Sequence, residues 1–163
     1  MTAHKPMVLL AIASLLLGAA APVRSRPAGA PVPLQSHPGT PADATARKLV
    51  ADDLAASASR GDKPLVLIGE ASLGGAQPAL FVQLQSAQEC GSAGCATSVY
   101  SWEHGSWRRV LDSAAGTLAV SPKKTHARND LVSDNDHFVW TGTQYQSTKP
   151  APKVNLLPQP RRR

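Results

Sequence analysis

The chain has 163 residues, a formal net charge of +6, 14 prolines and two cysteines. This length suits one folded domain rather than two. The positive charge suggests a nucleic acid partner, but residues 40–146 carry nine basic and eleven acidic side chains, for a net charge of −2. A nucleic-acid-binding domain presents its basic surface on the folded part, so the sequence argues against nucleic acid as a partner.

Residues 1–20 have the layout of a secretory signal peptide. Lys5 precedes an apolar run over 7–17, and the small residues 18–21 follow it. A membrane-spanning helix needs roughly 20 apolar residues, which is more than this run provides. A cleaved signal peptide is therefore favoured over a retained anchor.

Two cleavage positions are available. A cut after Ala21 would leave Pro22 at the new N-terminus, where its ring would obstruct the peptidase, so cleavage after Ala20 is favoured. We expect a periplasmic or secreted protein with no stable membrane anchor after cleavage.

The two flanks of the mature chain are rich in proline and carry its excess of basic residues. Residues 21–39 are predicted to be a disordered Pro/Ala-rich linker, and residues 147–163 a disordered Pro-rich basic tail. Screened attraction of these flanks to an anionic envelope polymer is one possible role. The alternative is that they only keep the protein soluble.

Residues 40–146 are predicted to form a single α+β domain that begins with a helix. Thr40 is a suitable N-cap, Pro41 suits the first helical position, and Gly61 provides a stop. Leu49 and Leu54 belong to an apolar stripe at helical spacing, which is expected to dock on a sheet.

After Pro64 the apolar residues alternate with a period of two, which is typical of strands. The short connections between them predict an antiparallel β-meander of about six or seven strands, packed against the one N-terminal helix. The expected strands are 65–68, 80–85, 95–102, 106–112, 117–120, 136–141 and 143–146.

Cys90 and Cys95 are separated by four small residues. In an exported protein this pair is expected to form a disulfide, with a stabilisation of roughly 2 kcal/mol for so short a ring. A metal site would need further ligands at a suitable spacing, and haem attachment would need a histidine where Ala96 stands. No metal and no cofactor is predicted.

Asp130, Asp134 and Asp136 form an acidic cluster before Phe138. A calcium loop would combine such acids with a glycine and a distal glutamate, and this cluster has neither. A polar turn, in which Asp130 accepts hydrogen bonds from backbone amides, is the favoured alternative.

No sequence context of a catalytic nucleophile is present, so no catalytic residue is assigned and the chain is predicted not to be an enzyme. The alternative is a small envelope hydrolase that uses Glu103 or His104, which would require a second titratable group across a cleft.

Most aromatic residues fall in the last two predicted hairpins, where they either form the core or lie exposed. The exposed alternative predicts an interaction patch on one hairpin, made of Glu103, His104, Trp107, Arg108 and Arg109. We therefore expect a non-catalytic binding or interaction protein of the cell envelope whose partner is another envelope protein.

The second half of the domain contains a series of short motifs: Gly94-Cys95, Val99-Tyr100, Gly105-x-Trp107, Val110-Leu111, Asp130-Leu131-Val132, Trp140-x-Gly142 and Tyr145. Through them, residues 90–146 resemble small uncharacterised exported proteins of proteobacteria. The resemblance implies export and a β-rich fold, and it brings no established activity.

Overall fold

The computed structural model describes residues 29–75, 77–134 and 136–150. The predicted signal peptide, residues 21–28 of the linker and residues 151–163 of the tail lie outside them. The described residues form two helices, α1 (Pro41–Leu49) and α2 (Ala51–Ser59), and ten strands. The strands are β1 (Ala30–Pro31), β2 (Leu65–Ala71), β3 (Ala79–Gln85), β4 (Cys90–Gly91), β5 (Gly94–Glu103), β6 (Ser106–Ala115), β7 (Ala119–Thr125), β8 (Arg128–Val132), β9 (His137–Trp140) and β10 (Tyr145–Ser147).

The strands form two antiparallel sheets. Sheet I has the order β1-β7-β8-β9-β10, and sheet II contains β2, β3, β5 and β6 with the two-residue β4 beside the start of β5. The β-rich character that the sequence predicted is confirmed. The single helix on a meander of six or seven strands is not what forms, because the strands divide between two sheets and the helical segment is broken.

The break in the helical segment lies at Val50, whose backbone leaves the helical region at φ −110° and ψ 23°. Thr40 caps α1 as predicted, since its side chain accepts a hydrogen bond from the backbone N–H of Asp43. Arg47 lowers the pKa of Asp43 by hydrogen bonding to its carboxylate. Gly61 ends the segment with a positive φ of 76°.

Sheet II is covered on both faces because successive side chains of a strand point to opposite sides. Leu80 and Val82 of β3 pack under the helices with Val66, Ile68 and Tyr100. Phe81 faces the other way and packs with Leu131, Phe138 and Trp140 of sheet I. The molecule thus has three layers: helices, sheet II and sheet I.

The β7–β8 hairpin was not predicted. Its two turn residues, His126 and Ala127, both have positive φ, at 48° and 68°. Such turns usually carry Asn-Gly or Asp-Gly, so the sequence holds no recognisable turn pattern here. Asp130 therefore lies within β8, fully buried, and the polar turn expected around it is wrong.

Residues 29–35, which we call the strap, cross from one sheet to the other. Ala30 and Pro31 pair with β7, and the N–H of Val32 donates to the carbonyl of Leu118 at 3.0 Å. Gln35 exchanges two backbone hydrogen bonds with Ile68 of sheet II, at 2.9 and 2.8 Å. The prediction of a disordered linker is therefore wrong for these residues, because their backbone groups pair with strands and Val32 is buried.

The C-terminal boundary also differs slightly from the prediction. Ser147 belongs to β10, and the N–H of Thr148 donates to the carbonyl of His137 at 2.8 Å. Backbone pairing thus continues two residues into the expected tail.

Candidate functional site

The predicted interaction patch lies on the β5–β6 hairpin, but the sheet divides it between two faces. His104 and Gly105 form the turn, with φ of 51° and 82°. Glu103 and Arg108 lie on the side of sheet I, whereas Trp107 and Arg109 lie on the helix side with Tyr100. The five residues therefore do not form one continuous surface.

Glu103 is held in ion pairs on the side of sheet I. Its Oε1 lies 2.8 Å from Arg128 and its Oε2 lies 3.3 Å from Arg108. Arg128 also donates to the Ser101 hydroxyl and stacks over the Trp140 ring, 4.1 Å from its centroid. Both carboxylate oxygens are thus engaged, and the pair between Oε1 and Arg128 of β8 ties the hairpin of sheet II to sheet I.

Two tryptophans mark the helix side of the hairpin. Trp102 and Trp107 are directly opposed across β5 and β6 and meet edge to face, with ring centroids 5.5 Å apart. Trp102 is 38% exposed, whereas Trp107 is half-buried beside Leu80 and Pro41. Trp102 was not among the predicted patch residues, although it shares a strand face with Tyr100.

Arg109 joins the sheet to the second helix. Its guanidinium donates to the Tyr100 hydroxyl at 2.9 Å, to Asp112 at 2.8 Å and to Asp53 of α2 at 3.0 Å. Burial lowers the pKa of Arg109, but these hydrogen bonds outweigh it and hold the pKa above the ordinary value. Burial also raises the pKa of Tyr100, and Arg109 opposes part of that rise. Arg109 is therefore a structural contact of α2.

Two acids of the predicted cluster, Asp130 and Asp136, make separate contacts, and the third, Asp134, is exposed. Asp130 is fully buried and its Oδ2 lies 3.0 Å from Nε2 of His137, while its Oδ1 has no hydrogen-bond partner among the described residues. Asp136 accepts from the Ser147 hydroxyl at 2.8 Å. No group of three or more His, Cys, Asp or Glu side chains in the described ranges is placed to hold a metal ion.

Cys90 and Cys95 form a disulfide, with the sulfur atoms 2.00 Å apart. The bond closes the small β4–β5 hairpin in which these residues pair directly. It lies at the end of sheet II remote from the β5–β6 turn, because Cys95 is near the start of the ten-residue β5 and Glu103 is at its end.

Beside this disulfide, a cavity of about 600 Å³ opens between the two sheets. Its floor is one row of side chains across sheet II, Leu67, Gln83 and Thr97, which are neighbours in register, and Phe81 borders it. The strap and Leu118 line it on the other side. Its volume and its mostly apolar lining are typical of small-molecule sites.

Two polar side chains on the cavity floor are held in place by the disulfide hairpin. Nε2 of Gln83 donates to the carbonyl of Cys95 at 3.3 Å and to Oγ1 of Thr97 at 2.9 Å. Because a carbonyl only accepts, Cys95 fixes which end of the amide faces it. Asp134 is the one charged residue in the described lining, and it is exposed.

In comparisons with protein-family models, curated proteins and solved structures, nothing matches this chain. The resemblance to exported proteins of proteobacteria therefore stays a prediction. None of the helices in the described ranges is both long and apolar enough to cross a membrane.

The cavity could not be found from the sequence, since its lining comes from the strap, sheet II and the segment before β7. The sequence predicts a disordered linker over residues 21–39, and that prediction leaves out the strap, which forms one wall of the cavity. The alternation over β3 did indicate that Phe81 and Gln83 share a face.

Proposed function

We propose that this chain is an exported, non-catalytic binding protein of the cell envelope that holds a small, largely apolar ligand between its two sheets. The observation that carries the proposal is the cavity beside the disulfide, about 600 Å³ in volume and lined by Leu34, Leu67, Phe81 and Leu118. Ligand sites generally combine such a lining with a few placed polar groups, and the partly exposed Gln83 amide supplies one here.

The surroundings of Glu103 also favour binding over hydrolysis. A general acid or base needs a carboxyl group that can exchange a proton with a substrate. Both oxygens of Glu103 are instead engaged by Arg108 and Arg128. The hydrolase alternative based on Glu103 therefore has less support than the binding protein.

Binding of the neutral fluorophore N-phenyl-1-naphthylamine tests this proposal, because its emission rises in apolar surroundings. We expect saturable binding to the wild-type protein. Leu67→Trp fills the cavity floor and should weaken binding at least about tenfold, since a filled site leaves no room for the probe. The matched control Leu65→Trp lies on the same strand at an exposed position, and it should bind like the wild type.

No saturable emission from the wild type, or equal binding by the wild type and Leu67→Trp, would overturn the cavity as the site. Circular dichroism on both variants separates loss of the site from loss of the fold. Export is tested separately by mass spectrometry of the protein recovered outside the cytoplasm. Its mass should match a chain that begins at Ala21.

A second candidate function follows from Trp102, which is one of the two exposed large apolar side chains in the described residues. Tryptophan is enriched among the residues that contribute most to binding at protein interfaces. On this proposal the Trp102–Trp107 end of the hairpin contacts another envelope protein.

A further inference from the structure

The described part of the chain ends beside the cavity. The hydroxyl of Ser147, the last residue of β10, donates to Asp136 at 2.8 Å. Asp136 lies between β8 and β9, and its backbone carbonyl accepts from the N–H of Ser133 at 2.9 Å. Asp134, which lines the cavity, belongs to the same connection. The tail therefore leaves the fold next to one border of the cavity.

The tail contains one short apolar segment. Its large apolar side chains are Val154, Leu156 and Leu157. Pro150 is the last described residue, and a chain spans at most about 3.6 Å per residue. Val154 can thus lie up to about 14 Å from Pro150, and Leu157 up to about 25 Å. These spans allow the segment to enter a cavity that borders the point where the tail begins.

We propose that residues 154–157, which we call the tail segment, occupy the cavity and compete with its ligand, an inference that rests on the proposed function. Leu34 and Leu67 are partly exposed and line the cavity. Leu156 and Leu157 of the tail segment cover this apolar surface, and its removal from water favours the contact. The tail segment is thus an intramolecular competitor for the site.

The polar group on the cavity floor also suits a peptide. Nε2 of Gln83 donates to the carbonyl of Cys95 and to Thr97, which leaves Oε1 as the free acceptor of the amide. Oε1 accepts no hydrogen bond from the described residues, and the Gln83 side chain is partly exposed. A backbone N–H of the tail segment is a donor for this oxygen, because every residue except proline carries one.

Charge brings the tail towards the same place. Asp134 is the one charged residue in the described lining, and it is exposed. Residues 148–163 carry five basic side chains and no acidic one, and Lys153 directly precedes the tail segment. An exposed pair between Lys153 and Asp134 contributes little by itself. The charges therefore favour the approach of the tail, and apolar burial holds the segment in the cavity.

Binding of N-phenyl-1-naphthylamine to a tail variant tests the competition. Leu156→Ser with Leu157→Ser, made in the full chain, removes the apolar side chains of the tail segment. The probe should then bind about fivefold or more tightly than it binds the wild type, because it no longer has to displace the segment. The matched control is Asn155→Ser with Gln159→Ser, which replaces polar residues of the same stretch and should bind the probe like the wild type.

Methyl resonances in nuclear magnetic resonance spectra report the contact without a ligand. The signals of Leu34 and Leu67 should differ between the wild type and the Leu156→Ser, Leu157→Ser variant. The signals of Leu54 should be the same in both, because Leu54 packs on the opposite face of sheet II. Differences that disappear on dilution would show that the tail of a second copy fills the cavity, and they would overturn the intramolecular contact.

The outcomes separate this inference from the proposed function. If the probe binds the wild type and the tail variant equally, and the Leu67 signals agree, the tail does not occupy the cavity and the binding function stands. If the probe binds neither protein, the proposed function itself fails.

Discussion

A β-carbon added to Gly69 would lie 2.5 Å from the carbonyl oxygen of Pro33, so the strap reaches sheet II only because residue 69 has no side chain. We expect Gly69→Ala to push the strap away and to lower the free energy of unfolding by about 1–3 kcal/mol. Urea unfolding followed by circular dichroism measures the change.

Gly91→Ala is the control for this substitution, because nothing lies within 4 Å of a β-carbon at position 91. It should alter stability by less than about 0.5 kcal/mol. Equal stabilities of the two variants would show that the strap does not need this close approach.

Loss of Glu103 should destabilise the contact between the two sheets. Glu103→Ala leaves the mostly buried Arg128 without its carboxylate partner, and we expect a loss of about 1–3 kcal/mol in the free energy of unfolding. Asp112→Ala removes an acid that pairs with Arg109 at a highly exposed position, and its effect should stay below about 0.5 kcal/mol. Similar losses for the two variants would argue that Glu103 contributes no more than a surface pair.

Both tyrosines of the chain should resist ionisation while the protein is folded. Burial raises the pKa of Tyr100 and of Tyr145 above the ordinary value of 10.0. A raised pKa means that the folded state binds these protons more tightly than the unfolded state. The resulting stabilisation is fully present below pH 10.0 and is lost as the pH rises through the pKa of the folded state.

Alkaline titration of the phenolate absorbance measures this effect. The folded protein should show no ionisation near pH 10.0 and a single cooperative rise when it unfolds, whereas the protein in urea should titrate normally. A tyrosine that ionises near its ordinary pKa in the folded protein would contradict the buried placement.

The disulfide should support both stability and ligand binding. Replacing both cysteines, Cys90→Ser with Cys95→Ser, should cost about 2 kcal/mol, because the bond closes only a short ring. Ligand affinity should also fall, since the carbonyl of Cys95 orients the Gln83 amide. Wild-type protein treated with a reducing agent should show the same two losses. Unchanged affinity in the reduced protein would mean that the hairpin holds Gln83 without the bond.

Trp102→Ala tests the second candidate function. Since Trp102 is 38% exposed, its removal should change stability little, and it should abolish capture of an envelope protein from a periplasmic extract. Leu65→Ala removes the other exposed large apolar side chain and should leave capture unchanged. If the wild type, Trp102→Ala and Leu65→Ala all capture the same envelope proteins, this end of the hairpin is not an interface.

Local patterns in the sequence predicted the elements that depend on local chemistry. The Thr40 cap, the β5–β6 turn at Gly105 and the β9–β10 turn at Gly142 all appear where their residue types favour them. The β7–β8 turn escaped prediction because His126 and Ala127 rarely adopt positive φ. The division into two sheets was not predicted either, since no local pattern shows that the chain passes from β6 to β7 without pairing these two strands.

The candidate site, too, could be predicted only as far as local patterns in the sequence allow. Alternation along β5 and β6 could have separated Glu103 and Arg108 from Trp107 and Arg109, because these pairs have opposite parity across the hairpin. Arg128, which pairs with Glu103, lies on β8, and the sequence analysis did not predict that strand. The cavity also depends on the strap. Its prolines are typical of a linker, so the sequence did not predict that it pairs with strands of both sheets.

The strap joins two strands that lie far from it along the chain, β2 from residue 65 and β7 from residue 119. Because synthesis starts at the N-terminus, the strap is made long before β7, and until then it cannot form its hydrogen bonds with that strand. Contacts over such long sequence separations form late and slowly. The strap side of the cavity therefore cannot be complete before β7 has been synthesised, and this wall depends on residues from both ends of the domain.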